Sequence, residues 1–270
     1  MCLKHKPFIN LIPWVISACL FFPLSMSWAA DISRELRQGA TGATTEGYLE
    51  LGLSLGAVFA LENDGAWAGS EFSGPVHAEW RFQKGRFFVE DAQLGFEAWG
   101  NESFNIEAIP VMVILAREEE KNKYEGRDPV VLTGFRATHY SGSYISQFQF
   151  GGDITSGDNN GWAALFRTGR HYQYRNWNLY ASLGFAYLDH RFNNYVVGID
   201  ESINPDYPEY HPGSGWDFFA EFGAKYPLSE NWVFSAAATS MIMDDNQSRS
   251  PILEGAKFVN TTEFVFAYVF

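Results

Sequence analysis

Side chains alternate across an extended strand, so residues two apart share a face. In Phe258 to Phe270, FVNTTEFVFAYVF, that rule puts Phe264, Phe266, Tyr268 and Phe270 in one row, and the sequence ends on it. A soluble strand gains little from an exposed row of aromatics. The outer wall of a barrel in a bilayer does gain from one, because it meets lipid and aromatic side chains suit the membrane interface. A terminal Phe preceded by alternate aromatics also resembles the signal read by the machinery that assembles outer-membrane barrels. The competing reading is a core strand of a soluble sandwich, and the rest of the chain has to decide between them.

The same period recurs upstream. Leu49, Leu51, Leu53, Leu55, Ala57 and Phe59 share one face, with Glu50, Gly52, Ser54 and Gly56 on the other. Val76, Ala78, Trp80 and Phe82 oppose His77, Glu79, Arg81 and Gln83. Trp177 to Tyr187 and Trp216 to Tyr226 repeat the pattern, the second setting Asp217, Glu221 and Lys225 against an aromatic face. Small and polar residues on the second face fit the interior of a closed barrel. His77, Glu79, Arg81, Asp217, Glu221 and Lys225 are therefore candidate lumen residues, able to pair and fill a narrow barrel or to line a selective pore.

The N-terminus reads as a secretory signal over 1–29. Lys4, His5 and Lys6 precede a largely apolar run, and Ser27 and Ala29 stand at the spacing signal peptidase needs. Ile16-Ser17-Ala18-Cys19 also resembles a lipoprotein cleavage box, but the apolar Leu20–Trp28 that follows argues against acylation of Cys19. Cys2 and Cys19 are the only cysteines, so a processed chain has no thiol chemistry and no disulfide. The first 29 residues carry two of the 19 basic residues and none of the 32 acids, leaving 17 against 32 and a net charge of −15. Such a chain is repelled by phosphate backbones, and nucleic acid is not an expected partner. After residue 30 no apolar run is long enough for a membrane-spanning helix.

Residues 30–46 read as a periplasmic segment and 47–270 as an all-β, antiparallel transmembrane barrel. The clean segments and the weaker ones at 86–99, 104–116, 130–140, 143–151, 161–172 and 231–243 give eleven strands. Bacterial single-chain barrels normally have an even count. Counting back from Phe270 puts the long polar connections outside the cell, whereas counting forward from Gly47 gives the opposite frame. The conflict lies before residue 116, and the adjacent acids Glu90-Asp91 mark its most suspect point, since one charge must face outward unless the strand bulges or breaks there. The expectation is ten to twelve strands, with twelve favoured.

Several short motifs resemble the MipA/OmpV family of outer-membrane proteins. Ala68-Gly69-Ser70 stands where the family tends to have a Gly-Ser loop, and Gly85-Arg86-Phe87-Phe88 follows the second strand. Asp189-His190-Arg191-Phe192, then Tyr195-Val196-Val197-Gly198, is close to the family's acidic-Arg-aromatic and Tyr-Phe-Gly-Val run. Ser250-Pro251-Ile252 and the aromatic C-terminus also match, while Trp67, Ala68 and His190 depart from the pattern. The resemblance implies an outer-membrane location, contact with lipid and lipopolysaccharide, and insertion by the barrel-assembly machinery. It further implies a scaffold role with murein hydrolases or synthases as partners; a narrow channel for small solutes is the alternative. Arg191 beside Asp189 either pins the barrel rim or forms an exposed pair worth very little, and the expectation favours the rim pair.

Chemistry has thin support. His139-Tyr140-Ser141 with Asp153 contains the residue types of a serine nucleophile, its base and an orienting acid. The barrel frame, however, puts the serine and the acid at opposite ends. Glu118, Glu119 and Glu120, followed by Lys121 and Lys123, and Asp244-Asp245 read as solvated loop charges rather than cation sites. The six histidines lack the spacing of a metal site. No cofactor and no catalytic residue are expected.

Overall fold

The computed structural model describes residues 47–62, 67–73, 77–90, 93–114, 129–154, 161–200, 207–253 and 255–269. The proposed signal, the segment 30–46, the Glu118–Glu120 tract with Lys121 and Lys123, and Phe270 lie outside the described residues. Period-two segments have become strands β1 (Gly47–Glu62), β2 (Trp67–Ser73), β3 (His77–Lys84), β4 (Phe87–Glu90), β5 (Gln93–Asn101), β6 (Phe104–Ile114) and β7 (Val130–Ser141). They continue as β8 (Tyr144–Asp153), β9 (Trp162–Tyr174), β10 (Trp177–Leu188), β11 (Gly215–Pro227), β12 (Trp232–Ile242) and β13 (Ala256–Val269). All pair antiparallel in one sheet, which closes where Glu50–Glu62 of β1 meets Val269–Ala256 of β13.

Thirteen strands make twelve staves. β3 pairs with the first half of β1 and β2 with the second half, both in the same direction, so the two occupy one position in the wall. Two expectations are corrected here. Gly69 and Ser70 are not in a loop but in β2, opposite Ala60 and Phe59. The segment 86–99 is not one strand but the hairpin of β4 and β5, with Glu90 opposite Gln93. The chain reverses after Glu90, which turns inward to an ion pair and stands opposite Gln93. That extra reversal supplies the missing strand and reconciles the two frames. It also makes the wall low: above Arg81 the β2–β3 stave has β1 as its one paired neighbour among the described residues.

With the described β-strand ends so ordered, tight turns at Gly85-Arg86, Glu102-Ser103, Gly142-Ser143 and Arg175-Asn176 share the periplasmic end. Gly85 and Gly142 adopt φ +61°, the left-handed region that glycine enters without a Cβ clash. The long connections 189–214 and 243–255 share the outer end. Leu53, Leu55, Leu183, Phe218, Phe222, Phe264 and Phe266 are exposed on the outer face. Aromatic pairs stand at both rims, as two membrane interfaces require: Trp177 with Tyr226 (4.8 Å) below, Tyr187 with Trp216 (4.8 Å) and Trp162 (5.0 Å) above. Trp232 stacks on Phe266 at 4.7 Å and meets Tyr268 edge-on at 5.3 Å, so the aromatic row of β13 ties the seam to β12.

Gly134 sits on the inner face of β7, where a Cβ would collide with the carbonyl oxygen of Phe150 on β8. A branched side chain there has to break the β7–β8 ladder. Gly134→Val is expected to abolish the compact, heat-modifiable band of the refolded barrel on unheated gels, while Gly152→Val, where a Cβ meets Trp162 Cβ at an ordinary 3.9 Å, keeps the band.

Candidate functional site: the barrel interior and its outer cap

Inward-pointing residues from four of five consecutive staves, β3, β4, β6 and β7, form a closed ring of charges. Arg81 of β3 donates to Glu90 of β4 (3.0 Å) and to Glu107 of β6 (3.1 Å). Arg136 of β7 donates to the same two carboxylates, at 3.3 Å and 2.6 Å. The ring is formally neutral, and Arg136 is fully buried. Phe88 of β4 packs under both guanidinium groups, 4.4 Å from Arg81 Cζ and 5.6 Å from Arg136 Cζ, which adds cation–π attraction. Across the lumen Arg167 of β9 pairs with Glu221 of β11 at 3.0 Å and donates to Ser182 Oγ at 2.9 and 2.7 Å. Thr239 completes this second cluster by donating to Glu221 Oε2 at 3.1 Å. Desolvated charges of this kind are tolerable only when paired and hydrogen-bonded.

Toward the outer end the lining turns apolar: Val58, Ile109, Met112, Leu132, Leu165 and Val259 pack in one cluster. The outer connections close over it. Asp189 N-caps helix α1 (His190–Val197), accepting from Phe192 N at 2.9 Å and also from Trp162 N at 3.0 Å, so the helix is fastened to β9. Phe192 and Val197 then drop from α1 into the apolar cluster, and Tyr195 packs beside them. Gly198 caps the helix C-terminus in extended backbone, donating to Asn194 O at 2.8 Å where a Cβ would strike that carbonyl. A short helix α2 (Asp245–Ser248) and a 3-10 turn, Pro251–Leu253, lock on from the other side. Ser250 Oγ donates to Val197 O at 2.5 Å, and Tyr210 Oη to Asn246 O at 2.6 Å. Partial burial raises the Tyr210 phenol pKa, with Arg249 opposing the shift.

The sequence-derived residues are thus distributed. Arg81 is in the charge ring and Glu221 in the second cluster. Asp217 accepts from Asp244 N (2.9 Å) and Gln247 Nε2 (3.0 Å), anchoring α2 to the wall. Lys225 faces inward between Asn178 and Ser235 near the periplasmic end. The side chains of His77 and Glu79 lie outside the described residues. Asp189 binds two backbone N–H groups instead of pairing with Arg191, which is exposed, so the expected rim pair is corrected. Asp244 accepts from Trp216 N and Asn246 N, and Asp245 pairs with Lys257, whose hydrogen bond and charge lower the Asp245 pKa.

Ser141 ends β7 at the periplasmic rim, whereas Asp153 stands opposite Leu132, nine residues along the strand and therefore about 30 Å away. His139 points outward against Phe104. The structure does not bring that set together. Among the described residues no group of three or more His, Cys, Asp or Glu side chains could hold a metal ion. Glu107, Arg136 and Arg167 are not among the sequence candidates, and Glu90 enters there only as the mark of a bulge or break. Their signal was parity, since Arg136 shares its strand face with Leu132, Gly134 and Thr138.

The family described as "MltA-interacting protein MipA" matches residues 31–270. The chain belongs to that family. A relative, "Putative outer membrane protein YiaT" of Escherichia coli (strain K12), is 23% identical over 176 residues, covering 62% of this chain and 71% of its own length. Solved structures with a similar trace include a loop-deletion mutant of OmpT, an outer membrane protein of Vibrio cholerae (TM-score 0.35, 9% identity, 83% of this chain and 100% of that one). An anion-selective porin from Comamonas acidovorans gives TM-score 0.37 at 8% identity over 83% of this chain and 100% of its own. Family and fold together make this an outer-membrane β-barrel protein.

Proposed function

We propose that this family member is a closed, non-conducting scaffold that presents its periplasmic rim to murein hydrolases or synthases. The observation that carries the reading is the filled interior. A neutral ring of two arginines and two glutamates spans one wall, a second buried pair spans the other, and an apolar layer under a fastened cap covers both. A conducting pore keeps its charges hydrated and spaced, whereas here they are spent on one another. The family description, which names an MltA-interacting protein, supports a murein enzyme as partner. The docking elements are the turns at Gly85-Arg86, Glu102-Ser103, Arg175-Asn176 and Leu228–Asn231, to which the polar sequence from Asp31 to Glu46 is added. Lipid, lipopolysaccharide and the assembly machinery are partners by virtue of location and the Phe264, Phe266, Tyr268 and Phe270 row.

Two measurements test this. In planar bilayers the purified barrel is expected to give no reproducible conductance steps; stable single-channel steps establish the narrow channel instead. In detergent pull-downs the barrel is expected to retain a murein hydrolase or synthase. Recovery of neither enzyme removes the scaffold role and leaves a closed barrel.

A further inference from the structure

Arg191 of the cap carries an exposed charge. Arg191 and Tyr195 stand one helical turn apart on α1 and form one wall of a cavity of about 250 Å³ at the outer surface, completed by His190, Asn194, Asp200, His211 and Pro212. Its walls are fixed before any ligand arrives. Ile199 and Tyr210 exchange backbone hydrogen bonds at 2.9 Å in both directions, clamping the two sides together. Asn194 Nδ2 donates to Asp200 Oδ1 at 3.3 Å, which turns its Oδ1 toward His211 Nδ1 at 3.1 Å. His211 Nε2 meets Glu209 Oε1 at 2.8 Å. Among the described residues, Asp200 and Glu209 are therefore engaged by Asn194 and His211. Arg191 is exposed and, among the described residues, makes no hydrogen bond or ion pair.

We propose that this cavity binds an acidic sugar unit, a hydroxylated ring carrying a carboxylate or phosphate. The planar guanidinium of Arg191 matches either anion with two parallel hydrogen bonds. The amide, carboxylate, imidazole and phenol groups around it are donors and acceptors suited to ring hydroxyls. The cavity opens on the outer side of the barrel, so its ligand comes from outside: a phosphorylated sugar of the cell's own glycolipid or a uronic-acid unit of a dissolved polysaccharide. The motif residue Arg191 then has a role that the fold does not give it, beside a Tyr195 that also packs on the apolar cluster. This site stands independently of whether the barrel conducts or binds murein enzymes.

Calorimetric titration of the purified, folded full-length barrel with glucuronate, glucose 1-phosphate and glucose tests the proposal. One charge-assisted pair should separate the acidic sugars from glucose by about tenfold or more. Arg191→Gln should erase that difference while gel mobility of the folded barrel stays unchanged, and Arg191→Lys should restore part of it. Preference for the phosphate names the glycolipid as source, and preference for the carboxylate names the polysaccharide. Equal binding of glucose and glucuronate, no binding of either acid, or acid binding indifferent to Arg191→Gln overturns the proposal.

Discussion

Arg136→Ala should lower the stability of the folded barrel by about 3–5 kcal/mol, the cost of leaving buried carboxylates without their partner. Arg136 reaches Glu90 and Glu107 from inside the wall, so its loss strands both acids beside a single remaining cation, Arg81. The effect should appear as a shift of the urea midpoint for the loss of the compact gel band. Arg170→Ala supplies the control, because Arg170 is exposed and a change there should fall within about 0.5 kcal/mol. Replacing Arg136 and Glu107 together should cost less than the sum of the two single changes, since the pair is removed as a unit. Additive costs would show that the ring is not a coupled network. The double variant also empties part of the lumen, and conductance appearing in that variant alone would identify the ring as the seal.

The sequence exposed the wall of this barrel more readily than its contents. Where a strand is lipid-facing on one side and crowded on the other, as in Leu49–Phe59 or Trp177–Tyr187, alternation is strict and the strand reads directly. Parity also placed Arg81, Asp217, Glu221 and Lys225 inside. What it does not carry is which charges meet. Glu90, Glu107 and Arg136 lie up to 46 positions apart and come together only through register, which is set by the short hairpin of β4 and β5. That hairpin was legible only as an anomaly, two adjacent acids in a strand that can hide one. The cap was hidden for a different reason. In sequence Asp189 stands beside Arg191 as a ready ion-pair partner, but a carboxylate at a helix start is drawn to the unpaired N–H groups of the first turn. Its neighbour in sequence was not its neighbour in chemistry.

That difference makes Asp189 the residue on which the cap depends. Asp189→Ala removes the acceptor for Phe192 N and for Trp162 N, one an N-cap bond and the other a tie to β9. A lost N-cap costs about 1 kcal/mol, and a partly buried N–H without a partner adds about 1–3 kcal/mol. Together these should raise the opening of α1 on the order of a hundredfold, read as faster amide exchange over 190–197. The staves do not rely on this bond, so exchange in β7 to β10 should hold and the compact gel band should survive. Asp189→Asn retains a capping oxygen and should restore most of the protection. Protease added to intact cells should nick the alanine variant within the outer connection and spare the asparagine one. If α1 stays as protected in the alanine variant as in the parent, the cap is held by the insertion of Phe192 and Val197 into the apolar layer, and the aspartate is dispensable.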